Sequence, residues 1–216
     1  MNLILLGLPG AGKGTQAKKI SQEYNLPHIA TGDIFRLLVE EATPLGEKIK
    51  LYLDKGQLVP DEDAIMVLKE ELKKIDINEG FVLDGFPRTV YQAKVLKELL
   101  AEINTAINMA FYIKVDPEKL VERIAGRRVC LNCGHSYHIK YNPPEKKGIC
   151  DVCGEELVLR SDDREDTVRK RIQIQLEELN KIADFYQEEK ILKIITGNSI
   201  EEIYEEIKRA IEGEIG

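Results

Sequence analysis

The sequence predicts an α/β fold: a doubly wound, five-stranded parallel sheet flanked by helices and interrupted by a small cysteine-bearing insertion. Three observations carry this. Short apolar runs alternate with amphipathic stretches along the chain. The apolar runs are continuous, as strands buried on both faces require. Between residues 127 and 163 the pattern stops and gives way to cysteine, glycine, asparagine and Pro143-Pro144.

Residues 2–6 form the first buried strand, ended by Gly7. A glycine-rich turn spans 7–14, and a helix follows over 15–24 with Ala17 and Ile20 inward. Pro27 breaks that pattern, and 28–30 is the second strand. Thr31 caps a helix over 31–41, and Pro44 opens another that stops near Gly56. Pro60, Asp61, Glu62 and Asp63 begin a helix reaching Lys74, with its acids at the positive end of the dipole. Residues 80–83 are a strand, 84–87 a turn and 89–102 a helix. The strand over 109–115 is followed by a helix from Pro117 to near Gly126. Past the insertion, a helix over 167–188 carries Val168, Ile172, Leu176, Leu179, Ile182 and Ala183 as apolar positions. A strand over 192–195 and a helix over 200–211 close the chain.

The chain has 216 residues, 43% hydrophobic and 32% charged, which suits one domain with a substantial core. Lys+Arg 31 against Asp+Glu 38 gives a net charge of −7, which speaks against a broad nucleic-acid or acidic-membrane surface. The opening apolar run ends at Gly7, and no later run approaches the ~20 residues of a membrane span. A soluble cytoplasmic protein is expected.

The strongest chemical signal is Gly7-Leu8-Pro9-Gly10-Ala11-Gly12-Lys13-Gly14-Thr15, between a strand and a helix. Its glycines let backbone N–H groups turn toward phosphate oxygens, and the following helix presents its positive end to the same anion. Lys13 adds a charge for the outer phosphates. Position 14 is Gly rather than Ser or Thr, so the hydroxyl comes one residue late, at Thr15.

Arg36, Arg88, Arg123, Arg127, Arg160 and Arg171 sit near turns or element ends. Arg88 follows a strand's carboxyl end, where open α/β sheets bind ligands. Arg123 and Arg127 are four apart, so one helix face could aim both at one place. A phosphate loop with many arginines suggests phosphoryl transfer, whose charge spreads over the moving group's oxygens. Asp33 and Asp84 are available, but no general base stands out. An acceptor that is already a phosphate anion needs none.

Cys130-x2-Cys133 and Cys150-x2-Cys153 are two knuckles able to place four thiolates on one tetrahedral ion, which suits structural Zn²⁺. Two disulfides or an iron–sulfur cluster are the alternatives. Gly134 and Gly154 follow each pair, where a knuckle turns. The expected apolar residues of the insertion are Leu131, Ile139, Ile149, Leu157 and Val158. A rival class is an ATP-binding zinc ribbon that recognises RNA or DNA, but the acidic chain and thin aromatic content disfavour it.

Together GLPGAGKGT (7–15), TGDIFR (31–36), GQLV (56–59), DGFPR (84–88) with Gln92, GRR (126–128) and SDDREDTVRKR (161–171) closely resemble the adenylate kinase family in its long form with a zinc-bearing lid. The resemblance spans nearly the whole chain and implies Mg-dependent ATP + AMP = 2 ADP, with ATP, AMP and ADP as its partners and a monomer as its state. It implies a core over 1–29, 60–125 and 164–216, an AMP-binding flap over 30–59 and a zinc lid over 126–163. ATP phosphates would lie on Gly10, Ala11, Gly12, Lys13, Gly14 and Thr15. Arg127 would flank the ATP adenine, with Ser136 and Tyr137 closing over the nucleotide and Ser199 near the base. Thr31, Arg36, Gln57, Leu58, Val59, Gly85, Phe86, Pro87, Arg88 and Gln92 would form the AMP site. There Arg88 would grip the phosphate and Gln92 would read the base. Arg123, Arg160 and Arg171 would gather at the transferring group, and Asp84 would hold Mg²⁺ through water. The runner-up is a kinase for UMP or CMP, or one using GTP as donor.

Overall fold

Five parallel strands carry the molecule, which is seen in a computed structural model describing residues 1–215. In chain order the elements are β1 (Asn2–Leu6), α1 (Lys13–Tyr24), β2 (His28–Ala30), α2 (Thr31–Glu40), α3 (Pro44–Leu53), α4 (Asp61–Leu72), β3 (Phe81–Asp84), α5 (Val90–Glu102), β4 (Met109–Ile113) and α6 (Pro117–Ala125). The insertion contributes β5 (Arg127–Cys130), β6 (Ser136–His138), β7 (Leu157–Val158) and a 3₁₀ turn, Ser161–Asp163. Then come α7 (Glu165–Glu188), β8 (Leu192–Ile195) and α8 (Ile200–Ile215). The sheet order is β2-β3-β1-β4-β8, all parallel. Phe81, Val82 and Leu83 of β3 are wholly buried, as are Leu3 and Ile4 of β1, which is why these strands read as unbroken apolar runs.

Register decides where function can sit. Leu5 pairs with Asp84, and Ala30 pairs with the same residue from the other side. The carboxyl ends of β1, β2 and β3 therefore release the glycine loop, Thr31 and Asp84–Arg88 at one edge. β4 and β8 end together at Ile113 and Ile195, so Lys114 and Thr196 emerge side by side.

The insertion has its own three-stranded antiparallel sheet, order β6-β5-β7, and its own small core of Cys130, Tyr137, Cys150 and Leu157. Two of the insertion's apolar residues lie outside this core. Leu131 and Ile139 are more than half exposed. Leu131 lies in the turn of the first knuckle, and Ile139 lies just past the end of β6. Val129 and Tyr137 take the buried places instead.

Candidate functional site

α1 begins at Lys13, two residues earlier than the sequence pattern indicates, because Gly12 enters the helix in the left-handed region (φ +93°). Gly10 (φ +79°) faces a tighter limit: a Cβ there would lie 2.7 Å from Ile124 Cγ1. The Lys13 ammonium is buried and donates to the carbonyls of Gly7 (2.9 Å) and Leu8 (3.1 Å). Burial, reinforced by Arg88, lowers its pKa to about 7.

On the other side of β3, Thr31 is buried and donates to the Asp84 carbonyl at 3.4 Å. A Cβ on Gly85 would lie 3.0 Å from Thr31 Oγ1 and 3.2 Å from Arg88 Nη2, so the glycine keeps a cradle open. Burial pushes the Arg88 guanidinium down to about 10. Gln92 Oε1 accepts from the Arg88 backbone N–H (2.6 Å), and its Nε2 donates to Asp61 Oδ1 (2.8 Å). Thr89 caps α5 and also donates to Asp61. Asp61 is a residue that sequence reasoning passed over: it reads there as a helix-dipole acid. Phe86 is 1% exposed, and Pro87 and Val59 are also buried, so their side chains build walls. Gln57 is exposed at the turn after α3 and Leu58 half-buried.

A charge cluster joins α2 to the segment 160–171. Arg160 Nη2 reaches Asp33 Oδ1 at 2.8 Å, while Arg36 reaches Asp33 at 2.7 Å and Asp162 at 3.5 Å. Arg171 pairs with Asp162 at 2.9 Å, and Arg127 forks onto Asp163 with contacts of 2.8 and 2.5 Å. Burial lowers the Arg160 pKa to about 10, helped by Arg36 and Arg127. Burial also opposes charge on Asp162, but Arg171 and Arg36 outweigh it and hold the carboxyl below its usual value. Arg160 Nε is buried with no hydrogen-bond partner among the described residues. Lys13, Arg36, Arg88, Arg127, Arg160 and Arg171 outnumber the nearby carboxylates of Asp33, Asp84, Asp162 and Asp163.

Arg123 and Arg127 do not aim at one place, which corrects the expectation from their spacing. α6 stops at Ala125, so Arg127 already lies in β5, and it joins the cluster. Arg123 instead lines a separate cleft of about 450 Å³ with Lys119, Thr196, Gly197 and Asn198. Two further expectations change. The Tyr137 ring faces the lid core, 5% exposed, its hydroxyl accepts from the Asp151 N–H at 2.8 Å, and its backbone pairs with Arg128 of β5. The Ser199 hydroxyl caps α8 by accepting from the Glu202 N–H at 3.1 Å. Ser136 is exposed on β6, with Val129 opposite it.

The four cysteines converge. All are free thiols, and their sulfurs lie within 4.8 Å of one another. Cys130–Cys153 and Cys133–Cys150 approach to 3.3 and 3.6 Å. Bonds of about 2.3 Å put tetrahedral sulfurs about 3.8 Å apart, so the donor set fits one thiophilic ion. The two knuckles are copies of each other. Cys130 N–H donates to His135 O and Gly134 N–H to Cys130 O, as Cys150 does to Glu155 and Gly154 to Cys150. Gly134 (φ +65°) and Gly154 (φ +79°) close the turns.

The adenylate kinase family model matches residues 5–191. The chain belongs to the adenylate kinase family. Its reaction is the reversible phosphoryl transfer ATP + AMP = 2 ADP, carried out with the Mg-nucleotide. An adenylate kinase from Exiguobacterium sibiricum is 50% identical over 215 residues, covering 99% of this chain and all of that protein. Those of Geobacillus sp. (strain WCH70) and Bacillus subtilis (strain 168) are each 49% identical over 214 residues, covering 99% of both chains.

Proposed function

We propose that the reaction runs between two sites flanking β3, with the arginine cluster between them. The donor's phosphates lie along Gly10–Thr15 under Lys13, and its base fills the cleft of Lys119, Arg123 and Thr196–Asn198. Arg123 then serves the base and Arg127 the phosphates, an exchange of the roles that the resemblance implies. Arg127, unlike Arg123, is among the charges acting on Lys13. AMP lies over Gly85 with Thr31, Gln92 and residues 57–59 around its base, and Arg36 and Arg88 on its phosphate. Arg160 and Arg171 bracket the group in flight, where guanidinium forks stabilise spread negative charge. The observation that supports this is the surplus of buried and half-buried cations between the glycine loop and Thr31–Arg36, with Arg160 Nε lacking a hydrogen-bond partner among the described residues.

Magnesium would neutralise phosphate oxygens, with Asp84 holding it through water at the end of β3. Zinc would fill the four-thiolate site; a closed shell leaves no place for substrate, so its work is structural. Segments 30–59 and 126–163 act as flap and lid that exclude water from the transfer, and 1–29, 60–125 and 164–216 form the core. The working unit is a cytoplasmic monomer without a nucleic-acid or membrane partner. The net charge of −7 speaks against a nucleic-acid or acidic-membrane partner.

A coupled assay with Mg-ATP and AMP, CMP, UMP or GMP tests the acceptor site. Fast ADP formation with AMP alone is expected. Turnover with CMP or UMP would overturn the roles of Thr31 and Gln92.

A further inference from the structure

The buried face of α7 is apolar at Val168, Ile172, Leu179, Ile182 and Tyr186, with one break. That break is Gln175, 8% exposed. A buried amide costs stability unless its hydrogen bonds are made. Gln175 Oε1 accepts from Arg88 Nη1 at 2.5 Å, across a sequence separation of 87 residues. On its other side Arg88 Nε donates to the Gly85 carbonyl at 2.7 Å. Two neutral acceptors from different elements thus fix the guanidinium plane. Its Nη2 corner is left toward Thr31 and the space that Gly85 keeps open.

The neutrality of both acceptors is the informative point. Arg36, Arg127, Arg160 and Arg171 each pair with a carboxylate of Asp33, Asp162 or Asp163. No such ion pair is formed by Arg88 among the described residues. A carboxylate at position 175 would hold the guanidinium equally well but would compete with an incoming phosphate for its charge. An amide orients the group without adding a second negative charge to that of nearby Asp84. A cavity of about 20 Å³, lined by Lys13, Arg88, Gln175 and Leu179, adjoins the pair. Without the amide, the guanidinium keeps only one of the two acceptors that fix its plane.

We infer that Gln175 is a positioning residue for the acceptor phosphate: it sets the plane of Arg88 from α7 without neutralising it. This rests on the reading that Arg88 grips the acceptor's phosphate. The test is steady-state kinetics, varying AMP and ATP separately, on Gln175→Leu, Gln175→Glu and Arg88→Ala, with melting temperatures for each. Gln175→Leu is expected to raise the KM for AMP roughly 10-fold, the scale of one lost buried hydrogen bond, while the KM for ATP moves less than about twofold. Gln175→Glu keeps an acceptor and the fold, yet it is expected to raise the KM for AMP at least as much. A merely structural role predicts that the Glu variant is rescued. Should Gln175→Leu fail to fold, the Glu variant decides alone. Wild-type KM for AMP in the Glu variant, or equal changes in both KM values, would overturn the inference. If Arg88→Ala raises the KM for AMP and the Gln175 variants do not, the inference alone fails. If Arg88→Ala leaves it unchanged, the reading of Arg88 fails first.

Discussion

Lys13 carries its charge against burial and against the guanidinium of Arg88, with Arg127 and Arg171 adding to the opposition and Asp84 alone easing it. The pKa of about 7 means that at pH 8 most of the free protein holds a neutral amine. A triphosphate brings negative charge to that amine and raises its pKa, so binding at pH 8 takes up a proton. Affinity for ATP is therefore expected to fall as pH climbs above 7, by up to about tenfold per pH unit. Titration calorimetry at pH 8 in two buffers of different ionisation heat reads this directly. Wild type should show proton uptake and Lys13→Met none; equal heats in both buffers for wild type would refute the linkage. Lys13→Ala should also cost several orders of magnitude in turnover. At this scale the sequence was legible where chemistry demands a residue type locally, as in the glycine loop, Arg88 and the cysteines. It was silent on pairings that only folding creates. Arg160 meets Asp33 from 127 residues away, and Gln175 meets Arg88 from 87. The spacing of Arg123 and Arg127 misled because the helix that would have aligned them ends between the two.

Among the elements, α5 and the lid offer separate tests. Thr89 caps α5 and also holds Asp61, which in turn holds the amide of Gln92. Thr89→Ala should cost about 1–2 kcal/mol in denaturant unfolding, the usual worth of a cap. It should also raise the KM for AMP, because Gln92 loses its backing; a stability loss with unchanged KM would separate the cap from the site. The lid is tied to the core by Lys18 of α1, whose ammonium donates to the Gly134 carbonyl of the first knuckle at 2.7 Å. Lys140 and Tyr141 also reach Glu122 of α6 at 2.9 and 3.2 Å. Lys18→Met should lower the closed-lid population about three- to tenfold, the value of one ordinary hydrogen bond. Distance measurements between labels on lid and core would show it, and an unchanged closed fraction would remove Lys18 as a latch. The central strands β1, β3 and β4 were legible as apolar runs, and the edge strands β2 and β8, which include His28 and Lys193, by their place between helices. The lid strands were not, since runs of two to four residues carry too few positions for alternation to show which side faces in. Composition alone therefore does not separate the exposed Leu131 and Ile139 from the buried Val129 and Tyr137.

The whole molecule has two cores of very different strength. The large one runs through both faces of the parallel sheet, from Leu3 to Ile211. The small one is Cys130, Tyr137, Cys150 and Leu157, and half of its members are metal-ligand candidates. So few apolar side chains do not offset the ordering of a segment of this length, and an ion on the four thiolates would supply the difference. The main sheet needs no such help. Stripping the metal with a thiophilic chelator is therefore expected to unfold the lid and spare the core. In hydrogen exchange, amides of β5, β6 and β7 should lose protection while those of β1, β3 and β4 keep it. Turnover should fall with the lid, since Arg127 and Arg160 enter the site from the segment the ion organises. Re-adding Zn²⁺ should restore both protection and activity. Cys130→Ser should reproduce the loss partially, releasing metal and lowering the melting temperature, with some activity retained when cold. Loss of protection throughout the main sheet on chelation would show one cooperative unit instead of two. Loss of activity with lid protection intact would assign the ion to the chemistry and not to the fold.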